Sequence, residues 1–173
     1  MKKHYKNFGS RKGENVIVTG LPKWDYPMRL TKETIKCPDG WQEKIDGRKV
    51  FLLNTHYTEF VSDYENFKKR KELIEYFLKN KNAALIWRPH PLTETVIRVY
   101  KSEFWDEFQS FKEKVEKSAN IIYDKSFSYE PSFAYADALI SPNSSIVTQF
   151  LLMKKPVLVA LEKGPISIRR QWL

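Results

Sequence analysis

The clearest strand signal in the sequence is Ala83-Ala84-Leu85-Ile86-Trp87-Arg88-Pro89-His90-Pro91. Its first five residues are continuously apolar, which is typical of a parallel strand that is buried on both faces of a sheet. The two prolines that follow restrict the backbone and remove donors for strand pairing, so they mark the end of the strand. The stretch therefore predicts a buried strand whose carboxyl end carries Arg88 and His90.

Apolar, β-rich segments of similar length recur on both sides of this strand and alternate with helix-like segments. Further strands are predicted at residues 16–19, 50–53, 121–123, 138–140 and 157–160. In four other segments, apolar residues at helical spacing, or residues that typically begin a helix, predict helices. These are residues 63–78, 93–117, 131–135 and 146–153. Strands that alternate with helices favour an α/β fold, a Rossmann-like parallel sheet with helices on both faces.

In such a sheet, ligands bind beyond the carboxyl ends of the strands. Three predicted loops leave that edge, and they carry the polar residues best suited to chemistry. They are Thr55 and His56, then Arg88 and His90, and finally Asn143, Ser144 and Ser145. We therefore expect these residues, which lie far apart in the sequence, to meet around one crevice.

Asn143, Ser144 and Ser145 stand at the junction between a predicted strand and a predicted helix. The first N–H groups of a helix lack partners inside the helix and lie at the positive end of its dipole. A phosphate or diphosphate binds readily there, and serine hydroxyls add further donors. The alternative is that Asn143 or Ser144 only caps the helix, as such residues commonly do.

Arg88 and His90 form the second candidate group. The Arg88 guanidinium can bind an oxyanion with two parallel hydrogen bonds. His90 can donate to a phosphate or transfer a proton near neutral pH, which makes it the candidate catalytic residue. In the alternative, the prolines build a rigid loop in which His90 hydrogen-bonds a nearby carbonyl.

His56 is the other histidine at a predicted strand end, and Thr55 precedes it. Two roles for His56 stay open. It contacts a donor phosphate or the acceptor, or it caps the turn that follows. His4, the third histidine, lies in the basic N-terminal stretch and is assigned no role.

The chain has a formal net charge of +9, from 30 lysines and arginines against 21 acidic residues. Such a field concentrates anions near the protein: nucleotides, phosphorylated polymers, nucleic acid or acidic lipid headgroups. No nucleic-acid-binding motif is present, so specific nucleic-acid recognition is not expected. Dinucleotide and P-loop fingerprints are absent, as are Cys and His clusters, so no cofactor and no metal-ligating residues are expected, and a Mg²⁺ requirement stays open.

Cys37 is the single cysteine, which rules out an intrachain disulfide and favours a reducing compartment. No apolar run approaches the roughly 20 residues that span a bilayer. No apolar stretch follows the basic start, as it would in a secretory signal. The sequence therefore predicts a cytoplasmic protein, with a peripheral contact to the inner face of the membrane as a further option.

Four segments occur in an order that resembles a known family. They are Gly20-Leu21-Pro22-Lys23-Trp24-Asp25, Arg88-Pro89-His90-Pro91, residues 136–145 and Lys155-Pro156-Val157. From about residue 16 to residue 160, the chain resembles the C-terminal half of the CDP-glycerol glycerophosphotransferases, the teichoic acid polymerases. At Pro142 and Asn143 it departs from the acidic pair that family members commonly carry before the two serines, which leaves the donor open.

The resemblance implies one half of a GT-B fold, in an enzyme that passes glycerol phosphate from CDP-glycerol to a polyol-phosphate or glycan acceptor. It also implies that His90 acts on the donor diphosphate and in catalysis, and that Ser144 and Ser145 hold the diphosphate at a helix N-terminus. The implied partners are the nucleotide-activated donor, an anionic acceptor polymer and an N-terminal acceptor domain that 173 residues cannot include. Residues 16–173 are then the donor-binding domain, cut short at the C-terminus. Residues 1–15 are a basic linker or residues added to the natural sequence.

Two other functions stay open. Related GT-B enzymes, the UDP-sugar transferases and the UDP-sugar 2-epimerases, share the same edge architecture, so a UDP-sugar is the alternative donor. The other alternative is a non-catalytic module that binds a polyanion or a membrane surface through its charge of +9. Such a module would bind many polyanions with salt-sensitive affinity and would not prefer one nucleotide.

Overall fold

The computed structural model describes residues 14, 17, 24–61 and 64–160 of the 173-residue chain. The strand predicted at residues 16–19 lies outside the described residues, apart from Ile17, and so do residues 20–23 of the first family-like segment. The expectations for residues 1–15, apart from Glu14, and for the C-terminal residues 161–173 also fall outside them.

The five described strands form one parallel sheet. They are β1 (Lys49–Thr55), β2 (Ala83–Pro89), β3 (Ile121–Tyr123), β4 (Ala138–Ser141) and β5 (Val157–Val159). Their order across the sheet is β3-β2-β1-β4-β5, and every neighbouring pair is parallel. The predicted Rossmann-like α/β fold is confirmed, with a strand at each of the five places predicted between residues 50 and 160.

Within the described residues, seven α-helices accompany this sheet. They are α1 (Gln42–Ile45), α2 (Thr58–Val61), α3 (Tyr64–Lys79), α4 (Thr93–Tyr100), α5 (Trp105–Glu116), α6 (Glu130–Tyr135) and α7 (Ser145–Leu152). Short 3-10 turns lie at Pro27–Arg29 and Ser102–Phe104. The predictions for α3, α6 and α7 are confirmed, whereas α1 and α2 are too short for apolar spacing to reveal them.

The prediction of a single helix over residues 93–117 is wrong, because the structure divides this segment into α4 and α5. Lys101 breaks the helix with a φ of −143° and a ψ of 44°, far from helical values. It occupies the position, four residues after Ile97, where an unbroken apolar stripe needs an apolar side chain. The break lets α4 bury Ile97 while α5 separately buries Phe108 and Phe111.

Side chains are buried on both faces of the sheet, as expected when helices cover both sides. Along β1, Leu52 belongs to one core cluster together with Phe150 of α7. The next residue, Leu53, belongs to the opposite cluster, together with Trp87 and Phe108. Each of these fully buried side chains stabilises the fold by about 1.5–3 kcal/mol. The strands are therefore firmly held up to the ends at which the candidate residues stand.

The strand order creates a switch point beside β1. From β1 the chain winds outward through β2 to β3, and then crosses back to add β4 and β5 on the other side of β1. The connections that follow β1 and β4 therefore leave the sheet in opposite directions. The gap between them is the place where open α/β sheets bind their ligands.

Candidate functional site

His56 and His90 lie side by side at the carboxyl edge of the sheet. Thr55 and Pro89 are paired in the β1–β2 register, and each histidine is the next residue along its chain segment. The His90 N–H donates a 2.9 Å hydrogen bond to the Thr55 carbonyl oxygen, which carries the pairing one residue further. The two imidazole rings meet edge to face, with 5.1 Å between their centroids. The structure thus brings together two of the loops that the sequence predicts at this edge.

Tyr57 completes a cluster of three rings with His56 and His90, which we call the histidine–tyrosine cluster. The Tyr57 ring centroid lies 4.4 Å from that of His56 and 4.8 Å from that of His90. All three side chains are half-buried. Sequence reasoning missed Tyr57, because its position directly after a strand-end histidine was the only signal available.

Both imidazoles are held through Nδ1 by the chain two residues further on. The Leu92 N–H donates a 3.1 Å hydrogen bond to His90 Nδ1. The Thr58 N–H approaches His56 Nδ1 at 3.4 Å, and Thr58 Oγ1 lies 2.8 Å from the same atom. An imidazole nitrogen that accepts a hydrogen bond carries no proton, so the proton of each neutral ring belongs on Nε2.

These contacts bear on the alternatives left open for the two histidines. The alternative for His90 was a hydrogen bond to a nearby carbonyl. In the described part of the chain, its ring instead accepts a hydrogen bond from the Leu92 N–H. For His56, the contact with Thr58 is the turn cap that was one of its two roles. That cap uses Nδ1, and within the described ranges no hydrogen bond of the ring involves Nε2, which leaves Nε2 of His56 suited to a ligand.

The surroundings of His90 favour its neutral form. Burial lowers the pKa of His90, and the neighbouring His56 lowers it further by charge repulsion. An unperturbed imidazole has a pKa of about 6.5, so the neutral ring prevails at neutral pH. A neutral imidazole can donate from Nε2 to a phosphoryl oxygen or take part in proton transfer.

Ser144 and Ser145 stand at the start of α7. Ser144 is the N-cap residue, with an extended backbone, but its side chain makes no capping hydrogen bond. Its hydroxyl instead lies 3.3 Å from Ser141 Oγ. Ser145 and Asn143 are exposed. The first N–H groups of α7 are therefore not capped by the Ser144 hydroxyl, an arrangement that suits an anion.

A buried polar link joins the loop after β4 to β1. Asn54 Nδ2 donates a 3.3 Å hydrogen bond to Ser141 Oγ, and Ser141 Oγ donates a 2.9 Å hydrogen bond to the Pro142 carbonyl. With the contact between Ser141 and Ser144, the link crosses from β1 to the start of α7, directly over the switch point. Sequence reasoning missed Asn54 and Ser141, since a polar residue within a strand shows its partner only once the strand order is known.

Thr55 is buried, and its hydroxyl accepts a 3.2 Å hydrogen bond from Trp87 Nε1. This contact satisfies the indole N–H inside the sheet, where an unpaired donor would be costly. A direct contact between Thr55 and a donor nucleotide stays a prediction that this geometry does not favour.

Arg88 is turned toward the loop that follows β3. Its Nη1 donates to Asp124 Oδ2 at 2.6 Å and to Ser126 Oγ at 3.1 Å. Its Nη2 donates to the carbonyl oxygens of Ser126 and Phe127, at 2.9 Å and 3.3 Å. Four of the five guanidinium donors are thus used within the protein. The expected oxyanion contact of Arg88 would have to displace them, so the geometry favours a role in fixing this loop.

Among the described residues, no group of three or more His, Cys, Asp or Glu side chains could hold a metal ion. No helix in the described ranges is long and apolar enough to cross a membrane.

The fold and the edge together define a class, a Rossmann-like α/β domain that gathers polar residues at the carboxyl ends of β1, β2 and β4. Within that class, the chain belongs to the CDP-glycerol:poly(glycerophosphate) glycerophosphotransferase family, whose model matches residues 1–163. This match confirms the family resemblance noted in the sequence, and the family is one of transferases. No curated protein matches the chain.

One solved structure of a GT-B enzyme shares this architecture, and two further structures are similar at lower scores. UDP-GlcNAc 2-epimerase from Methanocaldococcus jannaschii, in complex with UDP-GlcNAc and UDP, has a TM-score of 0.57 at 18% identity, over 91% of this chain and 42% of that chain. The wall teichoic acid polymerase TagF has a TM-score of 0.48 at 16% identity, over 88% and 36%. KpsC, the beta Kdo 2,7 transferase of Thermosulfurimonas dismutans, has a TM-score of 0.39 at 20% identity, over 90% of this chain and 45% of that chain. This chain therefore spans less than half the length of each.

Proposed function

We propose that the chain is the donor-binding domain of a glycerophosphotransferase, which moves glycerol phosphate from CDP-glycerol to a polyol-phosphate or glycan acceptor. The observation that carries this proposal is the presence of His90 and the start of α7 at one edge of the sheet. Because β2, β1 and β4 are neighbours, the loops that carry His90 and Ser144 are about two strand spacings, roughly 10 Å, apart. A diphosphate with its two ester groups is long enough to contact both loops.

The proposed reaction is a displacement at phosphorus. An acceptor hydroxyl oxygen forms a bond to the phosphorus that carries glycerol, and the bond from that phosphorus to the bridging oxygen breaks. CMP leaves with the electron pair of the broken bond. Negative charge grows on the leaving oxygen, and donors fixed in advance lower the barrier by stabilising it.

His90 is the catalytic residue in this proposal, because it supplies an Nε2–H donor or its proton to the leaving group. Ser144, Ser145 and the first N–H groups of α7 hold the other phosphoryl oxygens, and Asn143 lies beside them. The base that takes the proton of the acceptor hydroxyl is assigned to the N-terminal acceptor domain.

The charge of the chain suits the proposed setting. A net charge of +9 attracts an anionic acceptor polymer and the acidic lipids of the inner membrane face. The unpaired thiol of Cys37 suits the reducing cytoplasm.

Calorimetric titration of the purified chain with CDP-glycerol, CDP, CMP, UDP and UDP-GlcNAc tests this function. We expect selective binding of the cytidine ligands, which His90→Ala and Ser144→Ala should each weaken. Ser110→Ala, at an exposed serine of α5, is the matched control and should leave binding unchanged. A preference for uridine ligands would assign sugar-nucleotide chemistry instead. Binding of polyanions without preference for any nucleotide would overturn the donor site.

A further inference from the structure

The histidine–tyrosine cluster offers two imidazoles, whereas the mechanism proposed above uses only one. His56 and His90 stand on neighbouring strand ends, 5.1 Å apart between ring centroids, and both are partly exposed. Among the described residues, the hydrogen bonds of both rings run through Nδ1. Each neutral ring therefore keeps one donor, Nε2–H, for a ligand.

We propose that His56 and His90 form a two-histidine clamp for a diphosphate, in which each neutral imidazole donates its Nε2–H to a phosphoryl oxygen. Thr58 is the positioning residue that sets the tautomer of His56. The clamp rests on the proposed function and deepens it, because it adds a second hydrogen-bond donor, His56, and assigns the neutral state to both histidines.

The hydrogen bonds to Nδ1 favour neutral rings over cationic ones. A proton on His90 Nδ1 would turn this atom from an acceptor into a donor, which would then face the Leu92 N–H. Two cationic rings at 5.1 Å would also repel each other. Arg88, the nearest charged residue on β2, is paired with Asp124.

Thr58 holds His56 at the point where α2 begins. Its hydroxyl, at 2.8 Å from Nδ1, makes the shorter of the two contacts, and its N–H is at 3.4 Å. Thr58→Val replaces the hydroxyl with a methyl group and leaves only the longer contact. We therefore expect this substitution to populate the Nδ1–H tautomer of His56, which presents no donor at Nε2.

A clamp of neutral donors differs from a pair of cations in its response to pH. A cationic histidine loses its charge between about pH 5 and 8. Neutral Nε2–H groups are still present at pH 8, and the diphosphate of CDP-glycerol, esterified at both ends, does not titrate in this range. The affinity for CDP-glycerol should therefore change by less than about threefold between pH 7 and pH 8.5. A fall of about tenfold or more over this interval, toward the limit of one decade per pH unit, would indicate cationic rings and overturn the clamp.

Long-range proton–nitrogen NMR of the imidazoles tests the tautomers directly. The chain has three histidines, so a His4→Gln background leaves only the two rings of the clamp. We expect Nε2–H for both rings at pH 7.5, a rise in the Nδ1–H fraction of His56 with Thr58→Val, and a return to the original pattern with Thr58→Ser. A wild-type ring protonated on Nδ1 would overturn the proposal.

Binding measurements complete the test. His56→Phe keeps a ring in the cluster and removes its donor, so CDP-glycerol binding should weaken about tenfold, as for one lost hydrogen bond to a charged group. His56→Gln, whose amide can donate near the Nε2 position, should recover part of this loss. Thermal unfolding of each variant confirms that the fold is kept.

The outcomes separate this clamp from the proposed function. If His90→Ala weakens CDP-glycerol binding and His56→Phe does not, the clamp is refuted and the proposed function stands. If CDP-glycerol does not bind but inorganic pyrophosphate shifts the NMR signals of both rings, the clamp stands and the proposed function fails. If neither ligand binds, both are refuted.

Discussion

Arg88 Nη1 and Asp124 Oδ2 form a 2.6 Å hydrogen-bonded ion pair whose side chains are only 11% and 1% exposed. Asp124 also accepts hydrogen bonds from the N–H and the hydroxyl of Ser126 and from the hydroxyl of Ser132. The pair fastens the loop after β3 to β2, two residues before His90. The loop and the candidate catalytic histidine thus share one support.

Removing one partner of this pair should be strongly destabilising. Arg88→Met leaves the Asp124 carboxylate buried without its cation, and we expect the free energy of unfolding to fall by about 3–5 kcal/mol. Combining Arg88→Met with Asp124→Leu should cost less than the sum of the two single changes, since no uncompensated charge is left. Urea unfolding measures all three variants, with Arg98→Met, at an exposed position of α4, as the control. Strictly additive losses would contradict this account.

His90 should give the stability a defined pH dependence. The folded protein binds the His90 proton less tightly than the unfolded chain does, because the folded pKa is lowered. The folded state favours neutral His90. The resulting contribution to the free energy of unfolding is complete above the unfolded pKa of about 6.5 and is lost as the pH falls through the folded pKa. His56→Phe removes the repelling charge, so we expect the pKa of His90 to rise in an NMR titration. An unchanged value would show that burial alone lowers it.

Lys155 closes the C-terminal end of α6. Its ammonium donates to the carbonyl oxygens of Phe133, Ala134 and Ala136 at 2.7, 3.1 and 2.7 Å, and burial lowers its pKa to about 8. Lys155→Met leaves these carbonyls without their donor, and we expect a loss of about 2 kcal/mol in the free energy of unfolding. Lys114→Met, at an exposed position of α5, should change it by less than about 0.5 kcal/mol. Equal effects of the two changes would rule out the cap.

Lys154 adopts the left-handed conformation just after α7, with a φ of 58°. A side chain costs about 1–2 kcal/mol in this region, whereas glycine loses about 0.5–1 kcal/mol more entropy on folding. Lys154→Gly should therefore stabilise the protein by roughly 0.5–1 kcal/mol in thermal or urea unfolding. Lys154→Ala, which keeps the Cβ, should bring no such gain. If the glycine variant is no more stable than the alanine variant, the left-handed backbone at residue 154 does not carry the expected free-energy cost.

Much of the fold follows from local pattern. A strand that is buried on both faces must be apolar along its whole length, and Ala83 to Trp87 meet that requirement wherever the strand lies in the sheet. The break at Lys101 could not be predicted in this way, because neither proline nor glycine marks it. It depends on the surface beneath the helix, which only the folded sheet defines.

The site was predictable at the level of strand ends but not of side-chain direction. His56 and His90 meet because β1 and β2 are neighbours, a common outcome for successive strands. The turn of Arg88 toward Asp124 joins residues 36 apart, and the partner lies in a polar loop without a motif. The roles of the individual candidate residues remain predictions that binding experiments must test.

The break at Lys101 also divides the segment from residue 93 to residue 116 into two parts that evolution can treat separately. The eight residues of α4 begin three positions after His90, and their first turn is tied through Glu94 to Tyr123 at the end of β3. The twelve residues of α5 supply Phe108, Phe111 and Val115 to the core. A saturation scan of the segment should therefore show folding yield falling at the buried positions of each helix, Ile97 in α4 and Phe108, Phe111 and Val115 in α5, and staying unchanged at Lys101 between them. What looks like one helix in the sequence is two helices, each with its own attachment to the core.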